Sequence, residues 1–226
     1  MVSTPSTRVR TRGRPARLSR ERILIATLKL LERVPPSEVT MARVAAALRA
    51  APMSLYTHVR SREDLLDGAA ALALEQLTIE IPVDLPWQDQ VRTWCRSLRT
   101  HFLHYPQVLH VVRHSGRLSL PWLRVRVALV RALRTAGLDG RPLADAVRWV
   151  SQTVVGGILL EVVVPRELSV EGNPLAAFAA LDRLDDDDRG ELERLLPHMT
   201  GHDRDTFFAF AVERVVAAVE ALVRAG

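Results

Sequence analysis

Apolar residues recur every three to four positions along most of the chain, which is the period of helices that each bury one face. From Ser19, the stretch SRERILIATLKLLERV puts Ile23, Ala26, Leu30 and Val34 on one side, with Ser19 suited to cap its start and Pro35-Pro36 to stop it. Met41, Val44, Ala45 and Leu48 make the apolar face of a second, short helix capped by Thr40. Beyond Pro52 a third short helix is built on Leu55 and Val59 and displays Met53, Ser54, Tyr56, Thr57, His58 and Arg60. A fourth starts at Ser61, with Glu63 and Asp64 at its positive end and Asp64 in the reciprocal capping position. It runs through Leu65, Leu66, Ala69, Leu72 and Leu77 toward Pro82.

From Trp87 onward the pattern stays helical, and the spacing predicts helices over 87–104, 106–114, 120–136, 141–164, 187–196 and 203–224. Pro86, Pro106, Pro121, Gly137, Gly140, the 165–174 stretch and Gly201 separate them. No alternating strand pattern and no repeat is present. The expected fold class is all-α, an N-terminal three-helix helix-turn-helix domain plus a larger helical domain. Residues 1–18 form a basic arm, 19–66 the helix-turn-helix domain and 67–226 the larger domain. The fourth helix crosses that boundary, so its movement would move the N-terminal domain. Two short helices joined by a tight turn, the second polar and aromatic outside, match the plan in which the second helix lies in a DNA major groove.

Charge sharpens this expectation. Residues 1–62 carry 13 Lys or Arg against Glu21, Glu32 and Glu38, a balance of +10, whereas residues 63–226 carry −5. Such asymmetry is expected when one part meets a polyanion and the other does not. Arg8, Arg10, Arg12, Arg14 and Arg17, interleaved with Gly13 and Pro15, read either as an arm for phosphates or a minor groove or as a solubilising tail. At 226 residues and 48% apolar, the chain has enough for a sizeable core. No apolar run reaches membrane-span length, no secretion signal opens the chain, and Cys95 is the only cysteine; cytoplasmic residence is expected. Lys29 stands alone against 30 arginines, which suggests a GC-rich genome.

The DNA contacts expected are Thr40, Arg43, Met53, Ser54, Tyr56, Thr57, His58, Arg60 and Arg62, with Arg12 and Arg14 of the arm; each could instead be solvated surface. His101, His104, His110 and His114 lie near Trp94, Phe102 and Tyr105. Pairs 101/104 and 110/114 share helix faces, so a metal site is formally possible, but no carboxylate or cysteine completes a ligand set; a pocket for an apolar ligand and plain helix packing are the alternatives. The acidic run Asp185–Asp188 suits a helix N-terminus and lacks calcium-loop spacing. Gly156-Gly157 within an apolar helix costs about 1 kcal/mol per glycine, which calls for close approach of another helix. Phe207, Phe208, Phe210, Val215, Val219 and Leu222 span a wide arc of the last helix and suggest a second subunit, or else a central buried helix.

With these residues in view, the chain resembles the tetracycline-repressor (TetR) family of bacterial transcriptional regulators. The resemblance lies in SRERILIATLKLLE, VTMARVAAAL and above all MSLYTHVRSREDLL, similar to the family's Leu-Tyr-x-His-x-x-x-Lys-x-x-Leu signature. It implies that Leu55 is core, that Tyr56 and His58 meet the DNA backbone or groove, and that Arg62, in the family's lysine position, meets a phosphate. WQDQVRTWCRSLRTHFLHY, VVGGILLE and FFAFAVERVVAAVEAL resemble the tetracycline-repressor subgroup more weakly. Arg49 stands where the family usually has glycine, and a base-contacting arginine of the archetype falls on Ala42. The archetype's two metal-and-drug histidines fall on Thr78 and Val112, its asparagine on Trp94 and its phenylalanine on Leu98, while its glutamate is kept as Glu161, so a magnesium-tetracycline site is not expected.

The resemblance implies that 67–226 is a ligand-binding and dimerisation domain. Its expected ligand residues are Trp94, Leu98, His101, Phe102, Tyr105, His110, Val112, Trp149, Gln152 and Glu161. Its expected dimer residues are Val150, Val154, Gly157, Phe208, Ala211, Val215, Ala218 and Leu222, on two helices that pair with their copies in a four-helix interface. The expected function is a ligand-responsive regulator, a repressor that binds a palindromic double-stranded DNA operator as a homodimer and is released by a small-molecule effector; an architectural or nonspecific DNA-binding protein is the alternative. No cofactor, metal or membrane is expected as a partner. No Gly-rich phosphate loop, G-x-S-x-G or HExxH points to an enzyme.

Overall fold

The computed structural model describes residues 18–115, 120–163, 181, 184–199 and 203–225. Arg12 and Arg14 of the basic arm therefore lie outside the described residues, as do residues 165–174. Among those described, every regular element is helical.

Side chains at the predicted caps start the N-terminal helices. Ser19 Oγ accepts the Arg22 N–H at 3.3 Å to open α1 (Arg20–Leu31), and Thr40 Oγ1 accepts the Arg43 N–H at 3.2 Å to open α2 (Met41–Leu48). Ser61 Oγ accepts from Asp64 N–H at 3.1 Å to open α4 (Arg62–Glu75). A short 3-10 turn, Pro36–Glu38, lies between α1 and α2, and α3 (Pro52–Leu55) follows α2. Two predicted lengths need correction. The first helix ends at Leu31, because the N–H groups of Arg33 and Val34 both turn back to the Leu30 carbonyl. The third is a single helical turn that continues as turns through His58.

α1 and α4 lie against each other with α2 and α3 across one end. Ile23, Leu31, Val39, Val44, Leu55 and Leu65 are fully buried there. A Cβ added at Gly68 would sit 2.7 Å from Leu24 Cδ2, so the absent side chain lets α4 approach α1 closely.

The remaining helices are α5 (Trp87–His104), α6 (Pro106–Ser115), α7 (Leu120–Thr135), α8 (Gly140–Val163), α9 (Asp186–Met199) and α10 (Arg204–Ala225). α5 is central, packed against α7, α8 and α10. Trp94, Leu98 and Phe102 form its buried stripe, and Trp94 Nε1 donates to the Val125 carbonyl of α7 at 2.9 Å. Burying each such side chain contributes about 1.5–3 kcal/mol. Asp185 Oδ1 accepts the Asp188 N–H at 2.9 Å, so the acidic run opens α9 as a cap.

The boundary drawn at residue 66 falls inside an unbroken helix. α4 packs on α1 at one side and on α6 and α7 at the other, and one apolar core runs from Ile23 to Val219. α8 is long and apolar enough, by length and composition, to cross a membrane, although the sequence showed no uninterrupted run. Its apolarity divides between a face packed in the core, with Val150, Val154 and Ile158, and an exposed face with Trp149, Leu160 and Val163.

Candidate nucleic-acid interface and the core of the C-terminal domain

α2 closes on Arg49, whose backbone is left-handed (φ 53°, ψ 42°), and the Ala50 N–H reaches the Ala45 carbonyl at 2.9 Å. This is the six-to-one bond of a Schellman end, which glycine normally supplies. Pro52 then occupies the first turn of α3, where its missing N–H costs nothing. Leu55 and Val59 are buried, which forces the intervening positions outward. Met53 is 75% and Tyr56 49% exposed; Ser54, Thr57 and Arg60 are also exposed, and His58 is half-buried. Thr57 Oγ1 donates to the Ser54 carbonyl at 2.8 Å, so this hydroxyl also trims the end of the turn.

Charged groups hold this surface from behind. Arg20 of α1 donates through Nη2 to Asp64 Oδ1 at 2.7 Å, and through Nη1 to Asp64 Oδ2 at 3.1 Å and the His58 carbonyl at 2.9 Å. Asp64 Oδ2 also accepts the Arg60 N–H at 2.8 Å. The Arg20 hydrogen bonds, followed by that from the Arg60 amide, hold the Asp64 carboxyl down at about 2. Sequence reading saw Asp64 only as a helix-start acid; Arg20, 44 residues away, gave no local signal.

Arg62, expected at a phosphate, is engaged within the chain. Its Nε donates to the Val39 carbonyl at 2.8 Å and its Nη2 to the Pro36 carbonyl, so the guanidinium ties α4 to the turn before α2. Arg43 is exposed but paired with Glu38 at 2.8 Å, and Thr40 spends its hydroxyl as an acceptor for the α2 cap.

Among the described residues, the ligand residues expected from sequence divide between buried core and surface. Trp94, Leu98 and Phe102 are buried in the core, as the central place of α5 requires. Glu161 is not a free carboxylate: Arg99 Nε and Nη2 donate to its oxygens at 2.8 and 2.7 Å, and Arg99 also pairs with Asp205 at 2.7 Å. Arg204 Nη1 donates to the Glu161 carbonyl at 2.8 Å, so this cluster joins α5, α8 and α10. His101 is buried beside Phe102 and Tyr105, its Nε2 has no partner among the described residues, and burial and then His104 lower its pKa to about 4. Tyr105 donates its hydroxyl to Gln76 Oε1 at 2.7 Å. His110 and Val112 are half-buried on α6, while Trp149 and Gln152 are exposed on α8. The His114 side chain lies outside the described residues. Gln152 instead borders an open groove of about 580 Å³ between α7 and α8, bordered also by Arg126, Arg134 and Arg148. Burial pushes the Cys95 thiol up to about 12, which leaves no reactive nucleophile there.

The expected dimer residues also divide. Val150, Val154 and Val215 are buried within the protomer, and Phe208 is half-buried beneath Arg99, 4.8 Å from its ring centre. Ala211 and Ala218 are half-buried, and Gly157 and Leu222 are exposed. The outward apolar stripe runs through Trp149, Leu160 and Val163 on α8 and through Phe207, Phe210 and Leu222 on α10. A Cβ at Gly156 or Gly157 would meet nothing within 4 Å, so the protomer itself does not require these glycines.

Comparison with known proteins agrees with the all-helical fold. The sequence model of the tetracyclin repressor-like C-terminal domain matches residues 82–223. An HTH-type transcriptional regulator of Saccharopolyspora erythraea is 27% identical over 145 residues, which span 64% of this chain and 61% of that protein. The class A tetracycline repressor protein from transposon 1721 of Escherichia coli is 29% identical over 174 residues, 73% of this chain and 80% of the repressor. Among solved structures, the TetR family protein ActR of Streptomyces coelicolor in complex with actinorhodin superposes with a TM-score of 0.73 at 26% identity, covering 91% of this chain and 97% of ActR.

Proposed function

The chain belongs to the TetR family of transcriptional regulators, and on that premise we propose that it is a repressor that binds a palindromic operator as a homodimer and releases it when a small molecule occupies the C-terminal helical domain. The observation that carries this reading is the outward set Met53, Ser54, Tyr56, Thr57 and Arg60, braced from within by Leu55 and Val59. Ser54, Tyr56 and Thr57 offer hydrogen bonds to base edges and phosphates, and Met53 an apolar contact to a thymine methyl. Arg60, with Arg43 and Thr40 at the start of α2 and His58 behind, supplies the flanking phosphate contacts. Arg62 acts from inside, by setting the angle between α4 and the α2 end.

The exposed stripes of α8 and α10 support dimerisation, because a copy packed against them would cover Leu160, Phe207 and Phe210 and use the space left at Gly156 and Gly157. Two reading heads then meet successive major grooves, about 34–36 Å apart, only at one protomer spacing. α4 links that spacing to the C-terminal domain, since it touches α1 on one side and α6 and α7 on the other. An effector that prefers a different spacing of the heads lowers operator affinity by that preference. The relative crystallised with actinorhodin supports a small organic effector, without naming one for this chain.

Selection of bound duplexes from a random pool, followed by titration at several salt concentrations, tests the reading. A palindrome bound far more tightly than random DNA is expected, and Tyr56→Ala should weaken it at least tenfold while leaving helicity unchanged. An unenriched pool with a steep salt slope would instead favour nonspecific binding through phosphates.

A further inference from the structure

We infer that the open groove between α7 and α8 is a binding site for an amphipathic organic acid, an apolar body that carries one carboxylate. The inference rests on the effector reading for its regulatory consequence, although not for the binding itself. At about 580 Å³ the groove has room for a small molecule. Val130, Leu143 and Val147 supply an apolar wall.

Its charge is unbalanced. Arg126, Arg134 and Arg148 all border the groove, against the single carboxylate of Asp139. Asp139 is engaged already, 3.5 Å from Arg134. Arg148 is exposed and makes no ion pair or hydrogen bond with a described residue. Arg126 rests with its guanidinium 6.0 Å from the Trp122 ring centre, and its Nε is buried without a hydrogen-bond partner among the described residues. Guanidinium groups gathered along one groove repel one another and favour an anion. Carboxylate is the group that fits a guanidinium fork with two parallel hydrogen bonds, and the apolar wall selects acids with a hydrophobic body over inorganic anions.

The position gives such a ligand leverage. Arg126 belongs to α7, which touches α4, and Arg148 to α8, which carries part of the exposed apolar stripe. A carboxylate held between them fixes α7 against α8. Neither arginine was singled out from sequence, because nothing local distinguishes them from the other 28.

The experiment uses the full chain and two matched fluorescent probes, anthracene-2-carboxylate and anthracene-2-carboxamide, titrated by anisotropy. The carboxylate should bind at least tenfold more tightly than the amide, the scale of one charge-assisted hydrogen-bonded pair. Arg148→Gln, at an exposed position, should remove that preference with amide binding unchanged, and Arg126→Gln should do likewise. Arg131→Gln, on α7 outside the groove, should leave both affinities as they were. Equal affinities for the two probes, no binding of either, or a preference that survives both groove substitutions would overturn the site. If the carboxylate binds with the expected profile while operator affinity stays constant, the anion site stands and release by effector is the reading that fails.

Discussion

Asp64→Asn tests whether the turn at 52–60 is held from behind by charge. The substitution keeps the side-chain outline but replaces one acceptor oxygen with an amide that faces the Arg20 guanidinium. In the folded chain the carboxyl lies at about 2 against an ordinary 3.8, held down by Arg20 and the Arg60 amide. At about 1.4 kcal/mol per unit, that depression sets a ceiling near ~2.5 kcal/mol. The side chains of Arg20 and Asp64 remain 45% and 29% exposed, so solvent screening reduces the loss to about 1–1.5 kcal/mol. In a chain of this size the melting temperature should fall by about 2–6 °C at pH 7. The sign follows from the direction of the shift. A depressed carboxyl stabilises fully above 3.8 and loses that contribution as pH falls through about 2. Wild type and variant should therefore differ by a constant amount at neutral pH and converge as pH falls below 4. Urea unfolding followed by circular dichroism between pH 8 and pH 3 measures both. A difference under about 0.3 kcal/mol at pH 7, below the usual worth of even a surface ion pair, would refute the argument, as would a gap that fails to narrow in acid.

Two further substitutions address the backbone and the buried histidine. Arg49→Gly should stabilise by about 0.5–1 kcal/mol, because removing a left-handed strain of about 1–2 kcal/mol outweighs glycine's extra unfolded entropy; the same urea titration checks it, and a loss of stability would point to an unseen contribution of the arginine side chain. His101 is held neutral down to about 4 in the fold, whereas the unfolded chain takes up its proton near 6.5, so stability should fall as pH drops from about 6.5 toward 4. His101→Gln should flatten that part of the profile, and an unchanged slope would show that other groups set it.

Much of the fold was legible because its signals are local. Ser19, Thr40, Ser61 and Asp185 cap the helices they precede, since a cap needs only the next three residues to be in place. Apolar spacing likewise put Leu55 and Val59 inside and left Met53, Tyr56 and Thr57 outside. The turn after α2 kept its left-handed geometry with arginine in place of the usual glycine, since the surrounding bonds over-determine it.

What the sequence left undecided has one cause. Periodicity tells which residues lie on one side of a helix, but not which of two apolar sides turns inward. On α8 and α10 both sides are apolar, and in the protomer Val150, Val154 and Val215 turn into the core while Leu160, Phe207 and Phe210 are left exposed. Long flexible cations mislead in the same way. Arg62 turned to carbonyls 23 and 26 residues away, and Arg99 took Glu161 from across 62 residues. The sequence by itself determined the helices, their caps, the split of charge and the residues that crown the reading turn, because these depend on neighbours along the chain. Only the tertiary structure decided which carboxylates were already paired, which apolar face was left over and where three arginines converge, because each depends on groups brought together by packing from distant parts of the chain.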